Sequence, residues 1–158
     1  MGLPFTDYSE NELVEQPAIA LFGELWGIAN AINGLHETFG LGGTLGREAD
    51  SEVVLVSRLR PALVRLNPGL TAGTIDAAVK ELVRDRTSMG LVNANHDIYK
   101  LLKDGVRVEA RNEWGEPTVD TVRVIDWDNP ENNDFLLVSQ LWVTGDIYTR
   151  RPDLVGFV

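Results

Sequence analysis

No cysteine occurs among the 158 residues, which excludes disulfides and thiolate metal sites. Histidine is almost absent: His36 and His96 are the two present, and they form no HExxH pair. No Ser or Cys stands in a nucleophile elbow. No apolar run is long enough to cross a bilayer. The opening MGLPFTDYSENE is acidic, lacks the basic n-region of a secretory signal and is a poor myristoylation site. These absences lead to the expectation of a soluble cytoplasmic protein with no membrane partner. Positive charge is scarce as well. Lys and Arg number 14 against 24 Asp and Glu, a net charge of −10, which argues against a surface coated for DNA. The imbalance is uneven. Residues 1–50 carry 1 basic and 8 acidic side chains, residues 51–105 carry 8 and 6, and residues 106–158 carry 5 and 10. The middle third is the part best suited to face phosphate, although an ordinary mixed helical surface has the same composition.

The length suits one domain with a substantial core. Ser9-Glu10-Asn11-Glu12 reads as a capping box, followed by Leu13, Ala18, Leu21, Phe22, Leu25 and Trp26 at helical spacing. Pro17 should kink or restart that helix. Gly34 to Gly46 reads as a flexible connection. Its GxGGxxG spacing and the lack of a preceding strand exclude a dinucleotide loop, and no Lys-Ser or Lys-Thr follows to make a phosphate-binding P-loop. Apolar periodicity then predicts a helix ending at Asn67-Pro68-Gly69, a second capped by Thr74, and a third from Leu91 to a Gly105 stop. From Val106 the period changes to two. Strands are expected over Val106–Ala110, Val119–Trp127, Phe135–Val143 and Leu154–Val158, with a hairpin loop at Asn112–Pro117 and turns at Asp128–Asp134 and Gly145-Asp146. No internal repeat or low-complexity segment is present.

Two stretches carry candidate chemistry. Asp126, Asp128, Asn129, Glu131, Asn132, Asn133 and Asp134 crowd together, but Pro130 and the lack of a bend glycine break the EF-hand pattern. Asx turns account for that composition. Near the C-terminus, Tyr148-Thr149-Arg150-Arg151-Pro152-Asp153 leads into the apolar run Leu154–Val158. Proline suits the start of a strand. Asp153 therefore sits at a strand's mouth, where a fixed carboxylate can hold a divalent metal or simply make a turn. Arg150 and Arg151 can hold DNA phosphates or balance local acids. The triplet Asn95-His96-Asp97 reads as helix surface.

The run Ile125-Asp126-Trp127-Asp128-Asn129-Pro130-Glu131-Asn132-Asn133-Asp134-Phe135, then an apolar strand containing Gln140, then Arg150-Arg151-Pro152-Asp153, resembles the amino-terminal domain of the R subunit of type I restriction-modification enzymes, the HsdR family. The resemblance runs from about Glu10 to Val158 and is most specific from Ile125 onward. It implies an α/β fold: a PD-(D/E)xK restriction-endonuclease-like core, a mixed β-sheet flanked by helices, in one partial domain over residues 1–158 with a helical insertion at 47–105. It implies Asp153 as the motif aspartate and a Mg²⁺ ligand. It also implies a glutamate from the first core helix, for which Glu15 is the candidate and Glu10 the second. The Glu-x-Lys strand does not occur before Val158, so the resemblance leads to the expectation of a domain incomplete at its C-terminus and inactive alone. In the full subunit it implies Mg²⁺-dependent hydrolysis of DNA phosphodiester bonds, coupled to ATP-driven translocation by motor domains outside this chain. The implied partners are DNA and the modification and specificity subunits. The alternative is a non-catalytic module that docks to those subunits.

Overall fold

The computed structural model describes residues 10–112, 114–145 and 147–158. The chain is mixed α/β and divides into two compact units, Met1–Val53 with Phe135–Val158, and Val54–Asp134. Among the described residues, no helix is long and apolar enough to cross a membrane.

In the first unit a π-helical stretch, Asn11–Glu15, runs into α1, Gln16–Trp26. Pro17 falls in the first turn of α1, where the π-helical stretch gives way to α-helix, and the helical run continues through it. Gly27, at φ 66°, ends it in the left-handed conformation. The capping residue Ser9 lies outside the described residues. A short strand β1, Ile32–Asn33, follows where the glycine-rich sequence promised none.

The first unit's sheet is mixed. Strand β4, Leu136–Ser139, is central, with β1 parallel on one side and β7, Leu154–Phe157, antiparallel on the other. All four residues of β4 are buried, as a continuous apolar run in a central strand should be. The strand is shorter than the expected Phe135–Val143. Gln140 takes φ 55° and breaks the ladder there. The chain then forms a small hairpin of β5, Val143–Thr144, and β6, Thr149–Arg150. Helix α1 covers the sheet through Trp26. Its ring stacks on Phe135 with centroids 4.8 Å apart and lies directly over Gly156.

The segment after β1 is not a flexible connection. Arg47 is buried, and its guanidinium grips the loop from inside. It donates through Nε to Glu37 Oε1 at 2.8 Å and through Nη2 to Glu37 Oε2. Further bonds reach the carbonyls of Glu52 and Trp142, both at 2.8 Å, and of Asp50 at 3.3 Å. Thr38 and Thr44 close the loop's tip through backbone and side-chain bonds.

The second unit holds α2, Val56–Leu66, α3, Ala72–Leu82, and α4, Leu91–Asp104, then the hairpin of β2, Val106–Arg111, and β3, Pro117–Val122. Leu63, Ile75, Ala78, Leu82, Val106 and Val122 form its core. Each such Leu, Ile or Val contributes about 1.5–3 kcal/mol by leaving water. The cap of α3 is Thr71 rather than Thr74. Its hydroxyl accepts from Thr74 N–H at 3.2 Å, and Thr74 is buried one turn in. Strand β3 ends at Val122, short of Trp127. The hairpin strands pair with each other in a sheet of their own, so residues 106–127 add nothing to the sheet around β4.

The acidic loop is a knot of Asx turns. Asp126 is buried and accepts from the backbone N–H groups of Asp128 and Asn129 and from Asn132 Nδ2 at 2.9 Å. Asn133 accepts from Asp126 N–H and donates back to its carbonyl. The Asn132 amide, then the Asn129 N–H, hold the Asp126 carboxyl below the usual range, with Arg123 and Asp128 N–H adding to the effect against burial.

Candidate functional site

The left-handed turn that ends β4 also builds the site. It points the Gln140 backbone N–H at the carbonyl of Asp153, 2.9 Å away, which ties the end of β4 to the residue before β7. The side chain of Gln140 then reaches two carboxylates. Its Nε2 donates to Asp153 Oδ1 at 3.2 Å and to Glu15 Oε2 and Oε1 at 3.2 and 3.4 Å. The reversed amide would set a carbonyl oxygen against two carboxylates, so only this orientation is favourable. Asp153 is exposed and stands at the strand's mouth, where the sequence puts it; Glu15, half-buried, arrives from the last residue of the π-helical stretch.

These residues line a cavity of about 240 Å³, with Glu10 and Arg151 also on its wall. Among the described residues, no Lys, Arg or His ion-pairs with Glu15 or Asp153. Arg151 lies over the Trp142 ring at 5.3 Å, and Arg150 over Tyr148 at 4.8 Å. Two carboxylates that share one N–H donor and have no ion-pair partner among the described residues are part of the donor set a hard divalent ion takes. The set is partial, since no cluster of three or more His, Asp or Glu side chains able to hold a metal occurs among the described residues.

The structure thus brings Asp153, Glu15, Glu10 and Arg151 to one cavity, while Arg150 is not on its wall. His36 and His96 are exposed, and Asp97 is taken up by Arg86 Nε at 2.6 Å and Arg84 at 3.3 Å. Sequence reasoning placed Gln140 in an apolar strand without a role. The available signal was a lone amide where a buried run stops.

The family model for the type I restriction enzyme R protein N terminus matches residues 7–158. The chain belongs to that family. Curated relatives agree. It is 39% identical over 117 residues to the type I restriction enzyme HindI endonuclease subunit of Haemophilus influenzae, covering 73% of this chain and 11% of that protein. It is 31% identical over 117 residues to the "Putative type I restriction enzyme MjaIXP endonuclease subunit" of Methanocaldococcus jannaschii, covering 71% of this chain and 11% of that protein. The chain therefore spans about one ninth of the length of these relatives. No solved structure gives a significant match.

Proposed function

We propose that this chain is the nuclease-bearing N-terminal part of a type I restriction endonuclease subunit of the PD-(D/E)xK class. It acts in the cytoplasm on DNA together with modification and specificity subunits. The observation that carries this reading is the meeting of Glu15 and Asp153 at Gln140, from a helix and a strand mouth 138 residues apart in sequence, with no ion-pair partner for either among the described residues. In this reading Glu15 and Asp153 hold Mg²⁺, and Arg151, with Arg150 beside it, binds backbone phosphates of the strand being cut. When bound, the ion would supply an acidified water and offset the negative charge that builds on the phosphoryl and leaving-group oxygens. Two carboxylates and one amide are less than a complete cutting centre, so the 158 residues alone leave DNA intact. ATP is used by motor segments elsewhere in the subunit.

The test is plasmid cleavage and ATP hydrolysis by the complete restriction complex, wild type against Asp153→Ala and Glu15→Ala. Loss of cutting with ATP hydrolysis retained supports the assignment, whereas cutting that survives both changes moves the nuclease site elsewhere.

A second reading, a docking module for the modification or specificity subunits, is favoured by a different observation. Helix α1 and the stretch before it expose Leu13, Val14, Leu21 and Leu25 at 55–66% of their area. Isolated apolar residues on a surface are ordinary, but four on one helical segment form a patch suited to a partner. Leu21→Asp with Leu25→Asp should then release the other subunits while leaving the chain folded.

A further inference from the structure

Gln140 is, among the described residues, the one non-glycine with positive φ. That backbone conformation presses Cβ against the following carbonyl, and glycine would adopt it without strain. A strained position that keeps a long side chain points to a use for that side chain. Here the use is visible. The backbone N–H bonds the Asp153 carbonyl, and the side-chain amide bonds both carboxylates. We infer that Gln140 is the positioning residue of this site: its amide clasps Glu15 and Asp153 and keeps the two carboxylates side by side.

Two carboxylates that accept from one amide nitrogen repel each other, and an N–H donor shared between them offsets that repulsion. No Lys or Arg does so here, since the nearest guanidinium on the cavity wall, that of Arg151, lies over Trp142. A neutral amide is the donor that can hold both acids without competing with an incoming cation for the site, as a lysine or arginine would. Gln140 directly follows buried β4, whereas Glu15 comes from a π-helical stretch. The residue that follows the central strand therefore fixes the carboxylate that the helical stretch brings, the usual part of a residue that orients metal ligands without binding the metal.

The inference rests on the metal reading above only for its cation arm, and the test separates the two. Gln140→Gly removes the amide while fitting the left-handed backbone, so the fold survives. In the 15N-labelled chain, the Gln140 side-chain amide resonances should move on Asp153→Ala and also on Glu15→Ala. Mn²⁺ in place of Mg²⁺, titrated calorimetrically, should bind the Gln140→Gly chain about tenfold or more weakly than the wild type. Amide resonances indifferent to both carboxylate changes would overturn the clasp, and so would Mn²⁺ affinity unchanged in Gln140→Gly. Amide shifts as expected, with no Mn²⁺ binding by any variant, would leave the clasp standing and overturn the metal reading.

Discussion

Arg47 and Glu37 form a two-pronged ion pair whose side chains are 1% and 3% exposed. The pair is worth more as a clip than as an attraction. Arg47 also donates to the carbonyls of Asp50, Glu52 and Trp142, so one side chain ties the loop after β1 to the chain after β4. Removing one partner strands the other charge in the interior. Arg47→Ala and Glu37→Ala should each cost about 3–5 kcal/mol, read from urea unfolding. The double substitution should cost clearly less than the sum of the two, and strict additivity would mean the pair is not coupled.

Trp26 and Gly156 offer a packing test. A Cβ at residue 156 would approach Trp26 Cη2 to 2.6 Å, and the ring is held in place by Phe135 and Phe22. Gly156→Ala should therefore destabilise by about 1–3 kcal/mol through overpacking. In a Trp26→Leu background the same change should cost far less. Equal costs in both backgrounds would place the strain elsewhere.

The Asp126 turn makes part of the stability pH-dependent. Its carboxyl is lowered in the folded chain, first by the Asn132 amide and then by the Asn129 N–H. A lowered folded value means the contribution is fully present above the unfolded value of about 3.9 and is lost as pH falls through the folded one. At pH 7 Asp126→Asn should thus unfold in less urea than the wild type, with the gap closing as the pH drops below about 4. A gap that is constant with pH would show that the carboxylate's charge plays no part.

Asp153→Ala should separate chemistry from motor function. In the proposed reading its carboxylate would serve the transition state rather than ground-state binding. In the complete complex, strand cutting should fall by about 10³-fold or more while ATP hydrolysis and translocation continue. In the 158-residue chain the change should alter stability by no more than about 0.5 kcal/mol, because Asp153 is exposed. Loss of cutting and ATP hydrolysis together would make Asp153 structural.

DNA binding by the chain alone should be weak, since phosphate neutralisation supplies most non-specific affinity and the net charge is −10. A fluorescence titration with plain duplex at physiological salt should give no sub-micromolar complex. At low salt, replacing Arg150 and Arg151 by Ala should lower the log K against log salt slope by about 1.8 if both meet phosphates. An unchanged slope would remove them from the interface.

Much of the fold's local detail was legible because it is decided by neighbours in sequence. The helices after Leu55 follow from apolar spacing, the β2–β3 hairpin from the switch to period two, and the Asp126 knot from its own Asn and Asp side chains. Asp153 before β7 followed from proline and the apolar run, both local effects.

What only the tertiary structure decided is who meets whom. Arg47 is the one basic residue among the first fifty, which by composition alone suggests a surface charge, yet it is buried because five acceptors converge on it from segments as far apart as Glu37 and Trp142. Strand β1 exists because β4 offers it a parallel partner, which no property of Ile32-Asn33 announces. Gln140 ends β4 because its backbone and its amide are both held, by Asp153 and by Glu15. Residue types and short-range spacing set most of the elements and put Asp153 at a strand's mouth, while the family resemblance pointed to Glu15. Their meeting at one amide depends on contacts between residues 125 positions apart, and these form only once α1 and the sheet have packed.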